Sequence, residues 1–156
     1  MLVASFETSK GTIEFELFEN DAPNTVAYFS NLVNKGFYNG MIFHKYIPET
    51  LIQTGCPNGD GTGHAGYLIK CELTGNRQEH DIGVLSMAHA GRDTNGSQFF
   101  ICLGRDQVKH LDGNHTCFGK IRPKGIDVLY KLRRFDEIES IRVYELSDSY
   151  DDIPEL

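Results

Sequence analysis

The chain has 156 residues, 40% of them hydrophobic, and a formal net charge of −7; this length fits one domain with an ordinary core, and the acidic balance opposes a nucleic-acid partner. Nowhere do 18 apolar residues run together, and the N-terminus is apolar for only four residues, so neither a membrane span nor a signal peptide is expected and a cytoplasmic protein is the default. Sixteen glycines spread without a period, beside ten phenylalanines and only five prolines, argue against a repeat or a disordered chain and for a β-rich protein with many turns.

Leu2 to Thr8 and Thr12 to Phe18 read as strands joined by Ser9-Lys10-Gly11. In the second, Ile13, Phe15 and Leu17 alternate with Glu14 and Glu16, giving one buried and one wet face. Pro23 suits a first helical turn that Asn24 or Thr25 can cap, and Val26, Phe29, Leu32 and Val33 recur at helical spacing until Gly36. Strand chemistry returns from Met41 to Ile47, breaks at Pro48-Glu49, and resumes from Leu51 to Gly55 with Gln53 inside the run. Cys56 to Gly66 is glycine-rich and reads as a loop; it lacks the G-x-x-x-x-G-K-[ST] pattern of a phosphate loop.

Tyr67 to Leu73 and Gly83 to Ala88 are the next expected strands. Between Val84–Ala88 and the apolar run Phe99 to Leu103 lies a long polar turn, and Gln98 enters that second run beside Phe99 and Phe100. A side-chain amide beside two aromatics must face water or serve a wet, partly apolar groove, so this stretch reads as one wall of a binding groove. Asp112-Gly113 marks a tight turn before a strand from His115 to Ile121, a helix is expected from Pro123 to Arg134, and Ile138 to Leu146 closes the pattern as a strand. The acidic tail from Ser147 is expected to fray. Cys56, Cys71, Cys102 and Cys117 form no CxxC pair and read as reduced, mostly buried thiols. About eight strands and two helices far apart in sequence predict a mainly β fold, a closed eight-stranded antiparallel barrel capped by two α-helices. Side chains fill the interior of a barrel this size, which puts the binding site on the outside.

F-H-K-Y-I-P, L-I-Q-T-G, G-D-G-T-G, L-S-M-A-H-A-G, N-G-S-Q-F-F-I and H-L-D-G-N-H-T-C-F-G-K resemble, in order and spacing, the signature stretches of the cyclophilins, the cyclosporin-binding family of peptidyl-prolyl cis-trans isomerases. The resemblance covers nearly the whole chain, and the short Gly36 to Met41 connection is similar to that of compact microbial members. It implies the barrel described above, no cofactor or metal, a monomer, and proline-containing peptides or flexible protein segments as partners. By position, Phe100, Leu51, Leu111 and His115 resemble the family's proline pocket, and Gln53 its substrate-holding amide. The His89 main chain resembles its antiparallel grip on the residue before proline. Ala88, Ala90 and Gln98 resemble the lining of the adjoining groove, and Gly61 the entrance to a second pocket. Lys45, Gln53, Phe100 and His115 thereby carry the catalytic expectation. His44, in the same phrase as Lys45, joins the substrate-binding residues, although packing or solvation is the simpler reading for the His44, His64, His80 and His89 side chains.

Three positions depart from the pattern. Lys45 stands at the catalytic arginine, keeping the charge but not the planar fork. Thr50 replaces a phenylalanine beside the proline ring, and His110 replaces the tryptophan that helps hold cyclosporin, so the resemblance implies reduced turnover and weakened binding of a cyclosporin-like macrocycle. Lys45 and Thr50 also favour a rival reading, a proline-recognition module without useful catalysis. A hydrolase or metal site built from Ser97, Asp112 and the histidines is disfavoured: Ser97 lies in N-G-S-Q-F rather than G-x-S-x-G, and His110 and His115 lack a further fixed ligand.

Overall fold

The computed structural model describes residues 1–147; beyond Ser147, the tail expected to fray lies outside the described residues. The strands are β1 Leu2–Thr8, β2 Gly11–Leu17, β3 Lys45–Ile47, β4 Leu51–Thr54, β5 Val84–Met87, β6 Phe99–Cys102, β7 Cys117–Ile121 and β8 Ile138–Glu145; the helices are α1 Pro23–Asn34 and α2 Ile126–Lys131. The strands pair antiparallel in one sheet, in the order β3-β4-β6-β5-β7-β2-β1-β8.

Period-two alternation sorts the side chains of this sheet into two sets. Phe6, Ile13, Phe15, Ile52, Leu85, Met87, Phe99, Ile101 and Phe118 point inward and form the main core, each burial contributing about 1.5–3 kcal/mol. Helix α1 drives Val26, Phe29, Leu32 and Val33 into the same cluster, where the Phe29 ring lies 5.5 Å from Phe99 and 5.2 Å from Phe118. Helix α2 adds Leu129 and packs against β2. The outward set is smaller: Leu51, Val84, Phe100, Cys102 and Cys117 form a second cluster with Phe18 and Val108 on the outer face. That cluster is the floor on which the candidate site stands.

Several expectations need correction. The closed barrel is instead a curled, open sheet, because its end strands β3 and β8 do not pair with each other. The chain before β3 crosses the gap to the first residue of β8 and to the turn before it: Gly40 N–H donates to Ile138 O at 2.7 Å and Phe43 N–H to Asp136 O at 2.9 Å. Those bonds hold residues 41–43 outside β3, which shortens the strand expected from Met41. Tyr67 to Leu73 forms no strand. It makes one isolated bridge, Ile69 with Asn95, and side chains satisfy its next amides: Cys71 N–H donates to Asp93 Oδ1 and Glu72 N–H to Thr116 Oγ1, both at 2.9 Å. Neither Asn24 nor Thr25 caps α1. Glu72 does so from that distant segment, accepting from Asn24 N–H at 3.2 Å, Thr25 N–H at 2.6 Å and Thr25 Oγ1 at 2.7 Å. The second helix is shorter than expected, a 3-10 turn at Pro123–Gly125 leading into α2, which stops where Leu132 turns extended.

Candidate active site

Strand register builds the site. Across β3, β4, β6 and β5, Lys45 lies opposite Gln53, Gln53 opposite Phe100, and Phe100 opposite Ser86; a bulge after Leu85 then sets Ser86 opposite Cys117. Directly paired residues project to the same side of a sheet, so an ammonium, an amide and an aromatic ring stand in a row on the outer face. Phe100 is 2% exposed and Leu51, one row over, is 9% exposed. Leu111 and Ala88 pack against their cluster from the side. Lys45 is exposed, and among the described residues no hydrogen bond or ion pair holds its ammonium.

The two amides are clamped. Gln98 Nε2 donates to the carbonyls of Gly61 and Gly63, each at 2.9 Å, and Gln98 Oε1 accepts from Gln53 Nε2 at 3.0 Å. Because carbonyls can only accept, this arrangement also fixes which way both amides point. Gly55, with φ +89°, lets β4 pass directly over Ser97 and Gln98; a Cβ there would collide with the Ser97 carbonyl. The Ser97 hydroxyl is fully buried and donates to Gly55 O at 2.6 Å, which ties β6's entry to the end of β4. Beside this clamp is an open pocket of about 270 Å³ whose lining includes Gln53, Gly61, Ala88, His89, Ala90 and Gln98. Gly63, His64, Leu68 and Thr94 also line it. Sequence reasoning did not place these four there: Leu68 lay inside the expected strand from Tyr67 to Leu73, and its exposure shows only in the structure.

His115 stands between this pocket and Phe100, its ring 6.0 Å from Phe100 and 3.9 Å from His89. Its Nδ1 bonds Met87 O at 2.9 Å. Burial holds its imidazole below the ordinary range against the opposing effect of that bond. Beneath Phe100 lies a network that sequence reasoning treated as packing. His80 is fully buried, its ring stacked 6.0 Å from Phe100, with Nδ1 on Asp112 Oδ1 at 2.8 Å and Nε2 on Ser86 Oγ at 2.7 Å. Arg105 donates to the other Asp112 oxygen at 2.9 Å. Burial would raise the Asp112 carboxyl, but the His80 amide, the Arg105 guanidinium and the His80 ring together hold it below its usual value.

The remaining expected residues lie at the margins. Thr50 sits in the β3–β4 turn, where its hydroxyl donates to Pro48 O at 3.2 Å. His110 is exposed on a short 3-10 turn, Lys109–Leu111. His44 is 8% exposed and lies behind Gly61, where burial, aided by the Lys45 charge, pushes its imidazole down. It therefore supports the Gly61 loop from behind. Among the described residues no cluster of histidine, cysteine and carboxylate side chains could hold a metal ion.

An open curled sheet thus carries an apolar floor, a lateral pocket and oriented amides on its outer face. The family model for "Cyclophilin type peptidyl-prolyl cis-trans isomerase/CLD" matches residues 3–147. A peptidyl-prolyl cis-trans isomerase of Helicobacter pylori is 51% identical over 139 residues, covering 88% of this chain and 84% of its own length. One from Synechococcus elongatus is 51% identical over 144 residues, covering 92% and 97%, and peptidyl-prolyl cis-trans isomerase B of Bacillus subtilis is 50% identical over 131 residues, covering 84% and 90%. Among solved structures, a Cryptosporidium parvum cyclophilin-type isomerase superposes with TM-score 0.84 at 30% identity, over 93% of this chain and 98% of that one. A second crystal structure of it, obtained in the presence of the dipeptide Ala-Pro, matches equally well at 31% identity, over 92% and 99%. The chain belongs to the cyclophilin-type peptidyl-prolyl cis-trans isomerases and is an enzyme of that class.

Proposed function

We propose that the outer-face row is where an X-Pro bond is turned, with the proline ring over Phe100 between Leu51, Leu111 and His115 and the preceding residue against the His89 main chain. Rotation about that bond faces a barrier of roughly 18–20 kcal/mol from amide resonance. Lowering it requires no nucleophile, metal or proton acceptor. The ring must be held, the carbonyl gripped, and a donor offered to the prolyl nitrogen as it loses conjugation. Lys45 is that donor and Gln53 the grip. The observation that carries the reading is the register row Lys45, Gln53, Phe100 across three neighbouring strands. Proline-containing peptides are the substrates, a reading supported by the Ala-Pro dipeptide used with the Cryptosporidium relative.

Turnover is reduced by the lysine. A point donor on a flexible stem cannot serve the prolyl nitrogen and Gln53 together as a guanidinium fork does. One charged hydrogen bond lost in the transition state, about 1.5–3 kcal/mol, slows the reaction roughly tenfold to a hundredfold. Thr50 removes about 1–2 kcal/mol of apolar contact beside the ring, and the exposed His110 offers a cyclosporin-like macrocycle less apolar area than an indole, so that ligand binds weakly. The same reading makes the protein a cytoplasmic monomer, in keeping with four free thiols, three of them buried. The test is kcat/KM for an X-Pro peptide in the Lys45 series: Lys45→Arg is expected to raise it about tenfold or more and Lys45→Ala to lower it. If the peptide binds but no turnover appears until arginine is installed, the wild type is a recognition module instead.

A further inference from the structure

The His115 ring meets Phe100 at 6.0 Å and 72°, and the His89 ring covers one of its faces, at 3.9 Å between centroids and only 7° from parallel. Hydrogen bonding fixes the proton on each ring. Met87 O can only accept, so His115 Nδ1 carries hydrogen and its Nε2 is bare. On His89, the Gly91 N–H donates to Nδ1 at 3.0 Å, so that nitrogen is unprotonated, while Nε2–H donates to Asn114 O at 2.5 Å. Both His89 nitrogens are engaged, and the ring is bolted to its own turn at one edge and to the turn before His115 at the other.

We propose that the His89 side chain is a positioning residue: it clamps His115 as a neutral wall of the proline pocket and thereby ties the pocket's affinity to pH. The proposal rests on the groove reading given above. Nε2 of His115 is the bare nitrogen of that ring, and a proton taken up there would turn the pocket wall into a cation. The groups facing that ring are His89 from the turn after β5, His80 edge-on at 6.5 Å from the segment before β5, and His110 from the 3-10 turn. Phe100 of β6 is uncharged, and Arg92, on the His89 turn, donates to Gly113 O at 3.4 Å. The carboxylate of Asp112 is already taken by His80 and Arg105. Among the groups named none is a carboxylate free to pair with a cation on His115, and a charge in the wall disfavours an apolar proline ring.

The test uses the full chain with a short Ala-Pro-containing peptide, measuring Kd and the His115 ring titration by NMR between about pH 7.5 and pH 5.5. In the wild type, Kd should weaken as His115 takes up its proton. In His89→Ala, His115 is opened to water: its titration midpoint should move up, and Kd at the upper pH should weaken by about threefold to tenfold, the size of one stacked-ring contact. His89→Phe keeps a stacked ring and should restore most of that affinity. An unchanged Kd and an unchanged His115 titration in His89→Ala would overturn the proposal, as would a folded His89→Phe that behaves like the alanine variant. If the wild type does not bind the peptide, the groove reading fails instead, while the His115 titration still reports whether His89 positions that ring.

Discussion

Gln53 and Gln98 satisfy each other in one orientation only. With both Gln98 N–H bonds given to Gly61 and Gly63 carbonyls and its oxygen taken by Gln53, Gln53 Oε1 is the atom that the proposed reading offers to a substrate amide. Gln98→Ala removes three hydrogen bonds of about 1 kcal/mol each, several of them partly wet. The expected result is a roughly tenfold fall in kcat/KM, mostly through KM, together with a lowered Tm; unchanged kinetics would show that Gln53 needs no clamp. Both amides were legible in the sequence because each interrupts an apolar run. Their partners were not: backbone carbonyls of Gly61 and Gly63 carry no sequence signal. The His80–Ser86–Asp112 network was hidden for a similar reason, since His80 and Asp112 lie 32 residues apart and meet only through tertiary packing.

Elements whose patterns are local were read well. The β1–β2 hairpin and the start of α1 follow from alternation and Pro23, and they fall within a residue of expectation. Tyr67 to Leu73 has strand composition, yet its polar groups are claimed by Asp93, Thr116 and the N-terminus of α1, and composition cannot reveal partners 22 to 48 residues away. That segment's contribution is Glu72. Glu72→Ala should destabilise the protein by about 1–2 kcal/mol, the worth of a helix cap, measured by urea unfolding. Asn24→Ala should be near neutral. The reverse ranking would return the capping role to the helix's own sequence. The sheet's failure to close was equally illegible, because it depends on how far β3 extends, and residues 41–43 bond across the gap instead.

For the whole molecule, acid stability follows from three imidazoles. His44, His80 and His115 are each held below the ordinary value of 6.5, burial being the main cause. As pH falls through that value the unfolded chain takes up protons that the folded chain resists, so stability is complete above it and declines below it. Asp112 and Asp136 act in the same direction lower down: their stabilisation is present above the ordinary carboxylate value of 3.8 and is lost as pH falls through their depressed folded values. Thermal melts should therefore give a nearly constant Tm from about pH 8 to pH 7 and a progressive fall below about pH 6.5. A Tm that held level or rose toward pH 5 would contradict the burial of these rings. The split between a large inner core and a smaller outer cluster follows strand alternation, which was legible in the sequence.

The most direct measurement is protease-free exchange NMR on a short X-Pro peptide, comparing the wild type with Phe100→Ala. Acceleration of cis-trans exchange by the wild type, lost in a folded Phe100→Ala variant, is the predicted result. Exchange at the uncatalysed rate with saturating wild-type protein, or undiminished catalysis without the Phe100 ring, would contradict a working isomerase built on the outer-face row.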